Sequence, residues 1–332
     1  MLAFVPGRGA LFALEPAAGG QWRARGAAAA PAFKLCKNYV DYDVCNWALD
    51  ADDPEALCLS CRLTHTIPDL SVQGYQQAWA KLETAKRRAL YSLLSLRLPL
   101  VGKAQDPSGL EFNFKSDEVA PNGDRSRVLT GHDNGNITIN IAEADDLYRE
   151  KQRLRHGEPY RTLLGHFRHE IGHYYWDRLV PESPDLEAFR DLFGDERADY
   201  QADLERHYRD GPPAGWAERY ISAYASMHPW EDWAESWAHV MHMVDALETA
   251  YFLGLSAQPR RADEPVLVVG QRPPQARVGH VDELLSSWAA LTYVLNNLTR
   301  GLGLPDAYPF VLGAAVAQKI SFVCGCMQRA AR

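Results

Sequence analysis

The stretch His169-Glu170-Ile171-Gly172-His173 places two imidazoles one helical turn apart, with a carboxylate directly after the first. Residues i and i+4 share one face of a helix, so both histidines can bind the same zinc ion. Glu170 can then reach a water molecule on that ion and accept its proton. The pattern therefore indicates hydrolytic chemistry at a zinc site.

The surrounding sequence predicts that the five residues lie within one continuous helix at 160–179. That stretch has no internal proline, and its apolar residues recur at helical spacing. Pro159 lies near the predicted start, where a missing N–H is harmless, and Pro181 follows the predicted end. A turn inside the motif is therefore not expected.

A catalytic zinc ion needs a third protein ligand and an open position for water. Two acidic segments downstream of the histidines can supply that ligand. The nearer segment contains Asp195 and Glu196. In the farther one, Glu231 and Glu235 lie one turn apart on a predicted helix whose opposite face is apolar. Spacing alone leaves both segments open.

The farther segment resembles the gluzincin site of anthrax-lethal-factor-type metallopeptidases. Tyr224 lies seven residues before Glu231, the first glutamate of a Glu-x-x-Ala-Glu helix. The resemblance implies that Glu231 is the third zinc ligand and that Tyr224 assists catalysis by hydrogen-bonding the oxyanion. Glu235 would then lie behind the site and orient a ligand.

A longer set of segments resembles more closely a bacterial family of zinc-binding metallopeptidases, and this similarity spans most of the chain. The resemblance implies a zinc-dependent peptidase. The segments that carry it are HEIGHYYWDRL, LFGDE, ISAYAS, HPWEDWAE and GLPDAYPFVL. Separately, the segment around Asp195 is expected to cap or brace a helix, with supply of the third ligand as the alternative.

Four of the six cysteines lie near the N-terminus and predict a second zinc site. Cys58 and Cys61 form a Cys-x-x-Cys knuckle, and Cys36 and Cys45 precede it. Four thiolates suit a closed tetrahedral structural site, as in a zinc ribbon. The alternative is two disulfides or four unrelated thiols. The remaining pair, Cys324 and Cys326, is expected to be two reduced thiols near a C-terminal helix.

Composition limits the classes of function. With 332 residues, 46% apolar and 23% charged, the chain can bury a substantial core. A net charge of −8 favours neither nucleic acid nor an anionic membrane as a partner. The basic run Lys86-Arg87-Arg88 is interpreted as a solvated helix face. No targeting segment is apparent, so we expect a cytoplasmic protein of undetermined oligomeric state.

The chain is predicted to hold a zinc-ribbon-like domain with four cysteine ligands at 1–70 and a zincin-like metallopeptidase domain at 71–332, with a boundary near Ile67-Pro68-Asp69-Leu70. The predicted fold is α+β, mainly helical with a small antiparallel sheet. Further predicted elements are a loop at 20–30, a helix at 73–96, strands at 110–114, 127–129 and 136–141, an exposed loop at 261–278, and helices at 282–298 and 310–324.

The stretch 135–141 is also a candidate edge strand for holding an extended peptide, and an internal strand without ligand contact is the alternative. The sequence predicts a zinc-dependent hydrolase of peptide bonds, with one catalytic and one structural zinc ion and a peptide or protein as substrate. Two other functions remain open: a noncatalytic zinc-ribbon protein that binds a partner, with a degenerate peptidase domain, and a hydrolase of non-peptide amides.

Overall fold

The computed structural model describes residues 1–26, 31–119, 125–257, 260–261, 263, 267–268 and 278–331. Two units can be separated within the chain. Unit 1 comprises Met1–Ser95 and Pro99–Gln152, and unit 2 comprises Leu96–Leu98 and Arg153–Arg332. The helices are α1 (Lys37–Tyr42), α2 (Leu59–Arg62), α3 (Tyr75–Ser95), α4 (Asp146–His156), α5 (Leu163–Leu179), α6 (Leu186–Phe193), α7 (Tyr200–Asp210), α8 (Pro229–Phe252), α9 (Val281–Gly301) and α10 (Ala314–Ala330).

The strands are short, and most of them lie in unit 1. They are β1 (Leu2–Val5), β2 (Ala10–Pro16), β3 (Trp22–Ala24), β4 (Ala32–Leu35), β5 (Ala48–Asp50), β6 (Thr64–Thr66), β7 (Glu111–Lys115), β8 (Glu118–Val119), β9 (Arg125–Ser126), β10 (Gly131–Asp133), β11 (Asn136–Asn140), β12 (Ser256–Ala257) and β13 (Leu267–Val268).

The first sheet of unit 1 joins β1 to β5 in sequence order, with every pair antiparallel. It covers a small apolar core that contains Phe33, Val5 and Leu14. The sequence predicted none of these five strands, and β3 lies where a loop was expected. Strands of three to seven residues with little alternation carry too weak a pattern to be recognised.

The second sheet has the order β10-β11-β7-β6. Its β10–β11 pair is antiparallel, whereas β7 pairs in parallel with both β11 and β6. The strand β11 lies inside the sheet, so the prediction of an edge strand at 135–141 is wrong. Ile137 and Ile139 are fully buried, which explains the strict apolar alternation there. Residues 127–129 do not form the predicted strand, and the backbone there is irregular.

Two of the three residues in the basic run on α3 are buried, which corrects the interpretation of the run as a solvated face. Lys86 is 0% exposed and Arg87 is 7% exposed. The Lys86 ammonium pairs with Glu83 at 2.9 Å and donates to the carbonyl of Ser60 at 2.9 Å. Arg87 donates to the carbonyl of Val44 at 2.7 Å. Buried cations persist because each is paired and hydrogen-bonded.

Unit 2 is built around α8, which packs against α5, α9 and α10. The predicted helices at 160–179, 282–298 and 310–324 correspond to α5, α9 and α10. Trp233 and Trp237 of α8 are fully buried, as expected of packing residues. Lys319 of α10 forms a buried ion pair with Asp232 of α8. The core of unit 2 therefore holds α8 in a fixed position beside α5.

The predicted α+β fold, mainly helical with small sheets, is confirmed. The predicted loop at 261–278 lies largely outside the described residues, which include only β13 and a few single positions there. Within the described part of the chain, no helix combines the length and the apolar character needed to cross a membrane.

Candidate metal centres

The motif residues lie on α5, as the sequence predicted. Thr162 caps the helix by accepting a hydrogen bond from the backbone N–H of Gly165 at 3.0 Å. His169 and His173 project from the same face, with their Nε2 atoms 3.2 Å apart. Tetrahedral zinc with Zn–N bonds of about 2.0–2.1 Å separates two ligand nitrogens by about 3.3 Å. The imidazole spacing therefore fits a shared ion.

Glu231, on the first turn of α8, completes a cluster with the two histidines. Its Oε2 atom lies 2.9 Å from His169 Nε2, and its Oε1 atom lies 3.6 Å from His173 Nε2. One ligand atom from each of the three residues lies within 4.8 Å of the other two. Two nitrogens and one carboxylate oxygen match the ligand set of a catalytic zinc site.

His169 is oriented from behind by Glu235, one turn further along α8. The Nδ1 atom of His169 is 2.8 Å from Glu235 Oε1, and the hydroxyl of Ser222 donates to Glu235 Oε2 at 2.8 Å. An ionised carboxylate only accepts, so Nδ1 carries the proton. A neutral His169 then presents its Nε2 lone pair to the cluster, as in carboxylate–histidine–zinc triads.

The centre of the cluster is suited to a cation. Glu231 Oε2 is buried and forms no hydrogen bond with any described residue, so two acceptors face each other across 2.9 Å. Burial alone would lower the pKa of His169, but the neighbouring carboxylates of Glu231 and Glu235 raise it well above its ordinary value. A zinc ion bound at this place would satisfy both acceptors, with His169 neutral at Nε2.

Glu170 and Tyr224 lie beside the three candidate ligands. Glu170 is 9% exposed on α5, and its charge contributes to raising the pKa of Tyr200 beside the cluster. The ring of Tyr224 lies 6.1 Å from that of His169. Burial and the nearby Glu231 charge raise the pKa of Tyr224 well above its ordinary value, so its hydroxyl is protonated and can donate.

The nearer acidic segment is not part of this cluster. Glu196 accepts two hydrogen bonds from Arg190 of α6, at 3.0 and 2.6 Å, and Asp195 accepts two from Arg197, both at 2.8 Å. These pairs brace the turn that follows α6. His228 also has a structural role, because it caps α8 by accepting from the N–H of Trp230 at 3.1 Å.

Tyr200, the first residue of α7, is a site residue that the sequence did not reveal. Its hydroxyl donates to Glu231 Oε1 at 2.7 Å. The ring also contacts His228 at a centroid distance of 5.2 Å. A lone tyrosine at the start of a polar helix has no distinctive pattern, and only the tertiary fold brings it to Glu231.

The four N-terminal cysteines form the second cluster. Cys36, Cys45, Cys58 and Cys61 are all buried and free, and their sulfurs lie within 4.8 Å of one another. The Cys45–Cys58 separation of 3.6 Å excludes a disulfide between them. It is close to the roughly 3.8 Å expected between thiolates of a tetrahedral zinc site with Zn–S bonds of about 2.3 Å.

Backbone N–H groups also point at the sulfurs. Cys58 donates its N–H to Cys36 Sγ at 3.3 Å, and Trp47 donates to Cys45 Sγ at 3.4 Å. The cluster is therefore suited to thiolate ligation. The other two cysteines, Cys324 and Cys326, are buried and free on α10.

Residues 75–326 match the model of a family described as "Putative zinc-binding metallo-peptidase". The chain belongs to this family. Residues 1–72 match the model of a zinc-ribbon domain, which contains the cysteine cluster. The metallopeptidase match contains both the α5 motif and Glu231, so the predicted resemblance to this family is confirmed.

Relatives of this metallopeptidase family member occur in mycobacteria. The chain is 45% identical over 293 residues to uncharacterized proteins of Mycobacterium tuberculosis strain H37Rv and of Mycobacterium bovis. The aligned region covers 87% of this chain and 81% of each relative. No solved structure matches the chain.

Proposed function

We propose that the chain is a zinc-dependent peptidase that hydrolyses peptide bonds. One observation carries the proposal: His169, His173 and Glu231 converge within 4.8 Å on a helix pair whose motif also carries Glu170. A glutamate at that motif position is not needed to bind zinc. Its presence therefore supports catalysis rather than a purely structural metal site.

In this proposal His169, His173 and Glu231 would hold a zinc ion, which when bound would act as a Lewis acid toward water and the scissile carbonyl. Glu170 accepts the proton of the attacking water and delivers it to the leaving amine. Tyr224 donates its hydroxyl proton in a hydrogen bond to the carbonyl oxygen as negative charge develops there. Glu235 holds His169 in the tautomer that leaves Nε2 free.

We propose a structural role for a second zinc ion, held by Cys36, Cys45, Cys58 and Cys61. All four sulfurs are buried, so this site has no open position for water or substrate. The N–H···S contacts at Cys36 and Cys45 support thiolate ligands. The proposal therefore requires two zinc ions per chain, with different roles.

The substrate class that fits this chemistry is a peptide or protein. The net charge of −8 does not favour nucleic acid or anionic lipid as a partner. All six cysteines are free, which is typical of a reducing compartment such as the cytoplasm. We therefore propose cytoplasmic peptides or proteins as substrates.

Digestion of an unbiased peptide library by the zinc-loaded protein tests the proposal. Mass spectrometry should detect cleaved products with the wild type and none with His173→Ala, a variant that lacks one ligand. The absence of any cleavage by protein that carries both zinc ions would contradict a peptidase. It would favour a noncatalytic binding protein or a hydrolase of other amides.

A further inference from the structure

Tyr200 makes a direct hydrogen bond to the side chain of the candidate ligand Glu231. The phenol hydroxyl lies 2.7 Å from Oε1, while Oε2 faces His169 Nε2 at 2.9 Å. The two carboxylate oxygens therefore have different tasks. One is held by Tyr200, and the other is directed at the place where the ion would bind.

The fold fixes the position of this hydroxyl. Asp199 caps α7 by accepting from the N–H of Ala202 at 3.0 Å, which sets the direction in which Tyr200 leaves the helix. The Tyr200 ring then contacts the rings of His228 and Trp230 at the start of α8, with centroid distances of 5.2 and 6.2 Å. The Tyr200 ring and the Glu231 carboxylate are thus both held near the first turn of α8.

The hydroxyl proton of Tyr200 is used in this contact. A phenol has one proton to donate, and an ionised carboxylate can only accept. Tyr200 is therefore the donor and Glu231 Oε1 the acceptor.

We propose that Tyr200 is a positioning residue for the metal centre, holding the Glu231 carboxylate so that Oε2 is presented to zinc. The inference rests on the proposed function of His169, His173 and Glu231.

Zinc affinity tests this role without reference to hydrolysis. Competition with a chromophoric chelator gives the dissociation constants of the bound zinc ions, and His169→Ala identifies the one that belongs to this site. Tyr200→Phe keeps the ring contacts and removes only the hydroxyl. We expect it to raise that constant by about 10- to 100-fold, the usual effect of losing a partner that orients a ligand.

Tyr251→Phe is the matched control, since it is the same substitution on α8 about 30 Å from Glu231 along the helix axis. It should leave both zinc constants unchanged. The metal-free melting temperature of Tyr200→Phe should stay close to that of the wild type. If Tyr200 had only a structural role, Tyr200→Phe would lower the melting temperature and leave the zinc dissociation constant unaltered. That result would overturn the proposal.

A double-mutant cycle shows whether Tyr200 acts through Glu231. In a Glu231→Gln background, adding Tyr200→Phe should change zinc affinity by less than about twofold, because the carboxylate to be oriented is gone. Full additivity of the two effects would contradict the proposal.

If His169→Ala alters no zinc dissociation constant, the metal centre itself is wrong, and the inference fails with it. If His169→Ala removes one constant while Tyr200→Phe leaves it unchanged, only the positioning role is wrong.

Discussion

Trp233 of α8 donates its indole N–H to the backbone carbonyl of Gly172 on α5 at 2.8 Å. This bond joins α5, which carries the histidines, to α8, which carries Glu231, at a point beside His173. A Cβ atom on residue 172 would lie 3.1 Å from the Cα atom of Ala234 and 3.2 Å from the Cβ atom of Trp237. Glycine within the motif thus allows the close helix approach that brings Glu231 to the histidines.

Gly172→Ala should force the two helices apart and weaken zinc binding. Alanine favours a helix by about 1 kcal/mol, but overpacking against backbone costs about 1–3 kcal/mol. We therefore expect a net loss of stability together with faster zinc release, measured by thermal unfolding and chelator competition. The control is Gly325→Ala, where the nearest atoms belong to the flexible end of Arg329. If Gly172→Ala kept the stability and zinc affinity of the wild type, close packing of α5 against α8 would not be needed for zinc binding.

Glu231→Gln should weaken zinc retention at the histidine site, because a neutral amide replaces the charged ligand. We expect the dissociation constant to rise by at least about tenfold. Glu196→Gln is the control, since Glu196 pairs with Arg190 and should leave zinc affinity unchanged. If Glu196→Gln loses the metal while Glu231→Gln keeps it, the nearer acidic segment supplies the ligand.

Tyr224→Phe should lower turnover by about 100- to 1000-fold, the usual effect of removing one oxyanion donor. The ring remains, so zinc content and the Michaelis constant should change little. Steady-state kinetics on a peptide identified in the library digest gives both parameters. Unchanged turnover would leave Tyr224 with a packing role only.

Replacing Cys58 and Cys61 together by serine should remove one of two zinc ions and loosen α3. Lys86 and Arg87 attach α3 to the carbonyls of Ser60 and Val44, which belong to the cysteine segment. Hydrogen exchange measured by mass spectrometry should therefore speed up in α3. Cys324→Ser serves as the control and should keep both ions. Retention of two zinc ions by the double variant would contradict a cysteine site.

The local features of the site could be predicted from the sequence. Periodicity, caps and the i, i+4 spacing are properties of neighbouring residues, so the helix with His169 and the helix with Glu231 were both recognised. Contacts between distant segments leave no such pattern. The burial of Lys86 was missed because a basic run usually marks a solvated face, and Tyr200 reaches Glu231 only through the tertiary fold. The parallel pairing of β6 with β7 joins strands separated by the whole of α3.

Glu170→Gln tests the central claim most directly, because it separates metal binding from proton transfer. The amide can hydrogen-bond water but cannot accept its proton. Metal analysis should find two zinc ions per chain in both the variant and the wild type, while peptide hydrolysis by the variant falls by at least about 100-fold. Undiminished hydrolysis by zinc-loaded Glu170→Gln would contradict the account.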